Sequence, residues 1–306
     1  MNHRPVVAGI AYHQPDLFRF ALDEARRLDC GVRVTHVNSL TELQDLPGCE
    51  EELFDKLRVT AASEPDQPPV DYLWWWGDPA EVLITESREA REVVIGVDEG
   101  PWLSQVASGE VARKVALNAA CPVLVCPTRG SADRRTGGVV VAIDTSGPVD
   151  APLRYAFEAA RRRHESIQVV EASGPGSDYP ARERRRNRLE DIVDPWRVRY
   201  PEVQAQVSVK GGPAVAACVL ATRHASLLVL GRPRHHHATM SFVAVAARVL
   251  RRTHAPVAVV PDGWDIVLAE ASSCVGGPRT FDRPVFALWL DSGSGTLDPR
   301  HSADCA

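Results

Sequence analysis

The sequence predicts two tandem α/β domains, each a doubly wound, Rossmann-like parallel sheet of five strands. Three observations lead there. Short segments such as Val93–Gly96 and Leu228–Gly231 are apolar throughout rather than alternating, as strands buried on both faces are. Amphipathic stretches separate them, and strands alternating with helices give parallel pairing through right-handed crossovers. The whole series then occurs a second time at an offset of about 134 residues.

Taken in order, Val6–Ala11 is the first strand and Val139–Asp144 its counterpart. The helix after the first carries Leu17, Phe18, Ala21, Leu22, Ala25 and Leu28 on one stripe; the helix after the second carries Leu153, Ala156, Phe157 and Ala160. Second strands follow at Val32–Val37 and Ile167–Ala172. Gly77-Asp78-Pro79-Ala80 matches Gly211-Gly212-Pro213-Ala214, a strand-to-helix turn with proline placed to open the helix. Val93–Gly96 and Leu228–Gly231 are the fourth strands, each ending in glycine. Each half closes on a helix and a final strand, Ala120–Pro127 in the first and His254–Pro261 in the second. The boundaries follow: a first domain over 1–127, a polar linker over 128–138, a second domain over 139–261, and an extension over 262–306. The extension is rich in Gly, Ser, Pro and Asp and reads as mostly irregular, with one short element expected at Phe286–Leu290.

Composition narrows the function classes. With 44% hydrophobic and 25% charged residues the chain is globular, and a net charge of −5 gives no general attraction to nucleic acid or anionic membrane. No apolar run reaches the length of a membrane span, and the first residues lack a secretory signal pattern, so a cytoplasmic protein is expected. The seven cysteines are odd in number and scattered, with no Cys-x-x-Cys pair, and read as reduced thiols. No Walker lysine motif, Gly-x-Ser-x-Gly elbow or His-Glu-x-x-His helix is present, and no catalytic machinery is expected.

In an open parallel sheet the ligand crevice lies beyond the carboxyl ends of the strands, where the strand order reverses. The loops after the first and fourth strands face it, and loop amides at a helix start suit phosphate. On the strand-glycine stations, the Gly-Asp-Pro-Ala turn and Cys121-Pro122-Val123-Leu124-Val125, the chain resembles the universal stress protein family twice over, across 5–127 and 137–261. The resemblance implies an adenine-nucleotide-hydrolase-like fold and ATP as the ligand. It also implies an aspartate after strand one that touches the nucleoside, and a Gly-x-x-Gly loop with a later Gly-Ser pair that holds the phosphates.

Carried over residue by residue, the site is incomplete in both halves. In the first, Ile95 and Gly96 end the fourth strand and Gly109 keeps a family position. Glu99 replaces the second loop glycine with Gly100 beside it, Glu110 stands at the serine position, and Ala11 replaces the aspartate. In the second, Ile143 and Asp144 end the first strand and Leu230 and Gly231 the fourth. There Arg234 replaces the second glycine and Val243-Ala244 fall at the Gly-Ser station. A phosphate beside Glu99 and Glu110 would meet like charge, about 1 kcal/mol or more for each close pair. In the second half Arg232, Arg234 and His235–His237 offer cations in place of amide donors. The expectation is a non-catalytic stress-response protein with degenerate ATP sites and Asp144 as the best nucleoside contact. The competing expectation is an ATP-binding switch or weak ATPase with an Arg/His loop.

Three further features were weighed. His235–His237 lack a following ligand at metal spacing and read as a solvated loop rather than a metal site. Trp74-Trp75-Trp76 must point to alternate faces of the third strand, which the resemblance implies is a sheet edge, and this favours packing over ligand stacking. The basic run Arg182–Arg188 is mixed with Glu183 and reads as a solvated helix face rather than a nucleic-acid surface. The resemblance further implies that the last strands, Val123–Val125 and Val257–Val260, pair within the chain as a pseudo-dimer, with homodimers as a further level of association.

Overall fold

The computed structural model describes residues 4–38, 49–97, 102–127, 137–174, 176–232, 240–250, 252 and 255–264. Residues 128–136 of the expected linker, the Glu99, Gly100, Arg234 and His235–His237 stations, and the extension beyond Trp264 lie outside these residues. The first half runs β1 (Val6–Gly9), α1 (Pro15–Leu28), β2 (Val32–Asn38), α2 (Cys49–Ala62), β3 (Val70–Trp76), α3 (Pro79–Glu86), β4 (Glu92–Val97), α4 (Trp102–Asn118) and β5 (Val123–Pro127). The second repeats it: β6 (Val139–Ala142), α5 (Asp150–Arg163), β7 (Ile167–Ala172), α6 (Tyr179–Arg199), β8 (Ala205–Lys210), α7 (Ala214–Ala221), β9 (Leu227–Arg232), α8 (Met240–Leu250) and β10 (Val257–Pro261).

The strands form one ten-stranded sheet in the order β3-β2-β1-β4-β5-β10-β9-β6-β7-β8. Neighbours within each half are parallel. The halves meet at β5 and β10, which run antiparallel with Val257 opposite Val125, Ala258 opposite Leu124 and Val259 opposite Val123. The apolar strands explain the layering. Val6 and Ala8 face one cluster and Val7 the other; Val139 and Val141 repeat this around Val140. Helices α1, α2, α5 and α6 cover the first face, and α3, α4, α7 and α8 the second.

Local sequence sets the helix ends. Gln14 precedes α1, where Pro15 opens the helix. Asp29 closes α1 in the left-handed region, its amide returning to the Ala25 and Arg26 carbonyls, and His164 closes α5 in the same way onto Ala160 and Arg161. Asp78 caps α3, accepting from the Ala80 amide at 2.7 Å and the Glu81 amide at 3.3 Å. Its counterpart, Gly212 at φ +98°, bends the chain into Pro213, which precedes α7 with no side-chain cap. Of the three tryptophans, Trp74 packs against the core and meets Trp76 edge-on at 5.5 Å; Trp76, at the end of edge strand β3, is 40% exposed.

Candidate functional site

Strand order reverses between β1 and β4 in the first half and between β6 and β9 in the second. The crevices therefore open at the carboxyl ends of those strands. In the first crevice the polar groups are taken up by one another. Ile10 follows β1 and its amide bonds the Thr35 carbonyl at 3.1 Å. Buried His36, near the end of β2, donates from Nδ1 to the Ile10 carbonyl at 2.8 Å and meets the Asn38 side chain through Nε2 at 2.8 Å. The Ala11 amide turns to Gln14 Oε1 at 3.4 Å.

The second crevice is more strongly charged. Asp144 follows β6 and is exposed, and its Oδ1 accepts the Ser146 amide at 2.9 Å and the Ser146 hydroxyl at 2.6 Å. Those bonds, the hydroxyl first, hold its carboxyl below the usual aspartate range, with Arg185 adding a smaller pull in the same direction. Beside it Glu171, from β7, is only 2% exposed. Its Oε1 accepts from the Thr145 hydroxyl at 2.8 Å and the Arg185 guanidinium at 3.1 Å, while Oε2 has no hydrogen-bond partner. Arg188 donates to the Thr145 carbonyl at 3.1 Å.

Helix α6 can deliver those arginines because its other end is fixed. Leu189, Val193 and Trp196 are buried, Trp196 stacks on Phe157 at 5.8 Å, and the Tyr200 hydroxyl bonds Glu158 at 2.8 Å. Asp178 caps the start, accepting from the Ala181 amide at 2.8 Å.

The residues expected to hold a nucleotide are placed unequally. Ile143 and Asp144 follow β6, at the carboxyl end of that strand where the second crevice opens. Ile95 and Leu230 lie beside the mouths but turn their side chains into the core. Gly231 faces Pro152 of α5: a Cβ there would come within 2.9 Å of the proline ring, so helix–strand packing already demands glycine. Gly96, the last residue but one of β4, lies opposite Cys126.

Two candidate residues are employed within the fold. Gly109, which keeps a family position, lies well inside α4, which begins at Trp102, with its amide bonded along the helix. Glu110 beside it is exposed and pairs with Lys114 at 3.6 Å. Arg232 was read as a phosphate contact. Its guanidinium instead reaches across the seam to the end of α4, donating to the Ala116 carbonyl at 3.1 Å and the Ala119 carbonyl at 2.7 Å. Unpaired carbonyls at a helix end explain that choice.

Glu171, Thr145, Arg185 and Arg188 were missed. The signal was a lone carboxylate inside the mostly apolar Ile167–Ala172 strand, which must find a cation when buried. The run Arg182–Arg188 is indeed exposed, but Arg185 and Arg188 fold inward over the crevice.

Burial pushes the thiols of Cys30 and Cys218 up to about 11 and those of Cys121 and Cys126 higher, which makes all four inert. Among the described residues no group of three or more His, Cys, Asp or Glu is placed to hold a metal ion. None of the described helices is long and apolar enough to cross a membrane.

Comparison with known proteins agrees with this architecture. The model of the universal stress protein family matches residues 5–127 and again 137–261. A universal stress protein from Archaeoglobus fulgidus superposes with a TM-score of 0.59 at 16% identity, covering 83% of this chain and 96% of that one. A functionally unknown protein from Pseudomonas aeruginosa gives 0.58 at 17% identity, covering 89% and 98%. The cytoplasmic domain of a prokaryotic cation chloride cotransporter gives 0.52 at 13% identity, covering 88% and 99%. At these identities the likeness is one of fold. No curated protein matches the chain.

Proposed function

The chain belongs to the universal stress protein family, and on that premise we propose that it is a non-catalytic, cytoplasmic stress-response protein whose two ATP sites have lost their phosphate-binding role. The observation that carries this reading is the employment of the groups expected at the phosphates. Arg232 caps α4, the Gly109 amide is spent inside that helix, and Gly231 serves packing against Pro152. In the first half an alanine, Ala11, stands in the aspartate position and His36 closes on Ile10 and Asn38. A chain that keeps the fold and gives up phosphate contacts acts through protein partners.

A second reading has its own support. Arg185 and Arg188 bring two cations to the mouth beside Asp144, an arrangement that attracts an anionic ligand by a route other than the glycine loop. Adenine nucleotide in the second crevice alone is that reading. The two separate in one experiment: the purified protein is denatured and the supernatant assayed for released nucleotide. Less than a tenth of an equivalent, by rough count, is expected if affinity is millimolar or weaker. Near-stoichiometric adenine nucleotide, lost in Asp144→Ala and Arg188→Ala, would establish the second reading.

A further inference from the structure

The two halves are related by a local two-fold axis that passes between Leu124 and Ala258. The registers fix this. Val123, Leu124 and Val125 lie beside Val93, Val94 and Ile95, as Val257, Ala258 and Val259 lie beside Leu228, Val229 and Leu230. Leu124 and Ala258 are thus the same position in the two repeats, and they face each other across the seam. The helix caps extend the equivalence. Asp29 and His164 close α1 and α5 identically, so Glu24 corresponds to Ala159, Leu28 to Arg163 and Phe20 to Tyr155. By strand register Glu92 corresponds to Leu227 and Val97 to Arg232.

A symmetric seam would make each contact twice. Among the described residues this one makes its Glu24–Arg163 ion pair once. Glu24 of the first half and Arg163 of the second form an ion pair at 2.5 Å, their side chains 3% and 5% exposed. Glu92 lies near the same cluster, where Arg162, Arg163 and Tyr155 of the second half act on it. At the mirror position the stations of Arg163, Tyr155, Glu24 and Glu92 hold Leu28, Phe20, Ala159 and Leu227, all apolar, while that of Arg162 holds Arg27, which pairs with Glu24 at 3.0 Å within the first half. On the other face Arg232 caps α4, and its counterpart in the first half is Val97, whose side chain is apolar. On the axis itself a large residue meets a small one, Leu124 against Ala258, both fully buried.

We propose that the seam is a recognition surface in which each half accepts the other kind of half and rejects a copy of itself. Two first halves would bury Glu24 and Glu92 against Leu28 and Phe20, and would drive Leu124 into Leu124. Two second halves would bury Arg163 against Ala159 and leave a gap between paired Ala258 methyls. A buried Arg163 stripped of Glu24, a Glu24 left with Arg27 alone, and mismatched volumes are the repulsive elements that specificity requires. The partner that fits the first half's β5 edge is therefore a second-half seam, and this chain does not pair through β5 or β10 with further copies of itself.

The test uses the full chain with a protease site inserted within 128–136. The protein is purified, cut, unfolded in urea, refolded, and its pairs weighed by native mass spectrometry. Only mixed pairs of one first and one second half are expected; like pairs in the proportion random mixing gives would overturn the proposal. Like pairs should appear when Glu24→Leu and Arg163→Leu are combined with Leu124→Ala. Should the cut protein fail to refold, the intact chain decides. Arg163→Leu should lower the melting temperature by on the order of 10 °C, and adding Glu24→Leu should recover more than half of the loss. Simple addition of the two losses would show that the charges are not coupled across the seam, and the proposal would fall.

Discussion

Glu92 is a carboxylate held in the floor of the sheet, opposite Val6 and nearly inaccessible. Burial, reinforced by Glu24, pushes its pKa up to about 7, against the opposing pull of Arg162, Arg163 and Tyr155. Its Oε2 and the Tyr155 hydroxyl are both buried without a hydrogen bond of regular geometry, so the phenol's help is slight. The sign for stability follows from proton counts. Between the ordinary glutamate value of 4.5 and about 7 the folded chain keeps a proton that the unfolded chain releases. Unfolding therefore becomes easier as pH rises through that window, and Glu92's contribution is most favourable below it. Relative to Glu92→Gln, the wild type should lose stability between about pH 5 and about pH 7.5, at up to ~1.4 kcal/mol for each unit. Urea unfolding at a series of pH values checks this; parallel curves for the two proteins would refute the assignment. At this scale the sequence was only partly legible. Asp144 could be placed because it follows a recognisable strand. Glu171 and Arg185 could not be paired, because α6 and β7 are joined by a turn whose length gives no clue to which arginines fold inward.

Strands were the most legible elements. Val93–Gly96 and Leu228–Gly231 are apolar on both faces, which leaves few other places for them than the middle of a covered sheet. Helix starts were harder. The family pattern put a helix start at Gly109-Glu110, yet α4 already runs from Trp102. Its first turns, with Leu103 and Val106, offer no capping residue that would have marked the true start. The glycines that end the fourth strands illustrate how one residue serves two explanations. Gly231 suits close approach of a ligand, and it also faces Pro152 across a gap too small for a methyl group. Gly231→Ala should therefore cost about 1–3 kcal/mol in folding stability with no ligand present. Chemical denaturation of the nucleotide-free protein measures it, and an unchanged midpoint would return Gly231 to a ligand role.

The duplication was readable across the whole molecule because the glycine and proline stations keep their spacing. The pairing of β5 with β10 followed only from the resemblance to the universal stress proteins. That the halves are unlike at their seam needed the register, since Glu24, Leu124 and Arg232 look unremarkable until their counterparts Ala159, Ala258 and Val97 are set beside them. Both crevices open on the same continuous sheet, and among the described residues Arg232 and Gly231 serve helix capping and packing. The most direct measurement is a calorimetric titration of the purified full chain with Mg·ATP. No saturable heat is predicted up to ~1 mM nucleotide. Stoichiometric binding that disappears in Asp144→Ala would contradict the loss of the ATP sites.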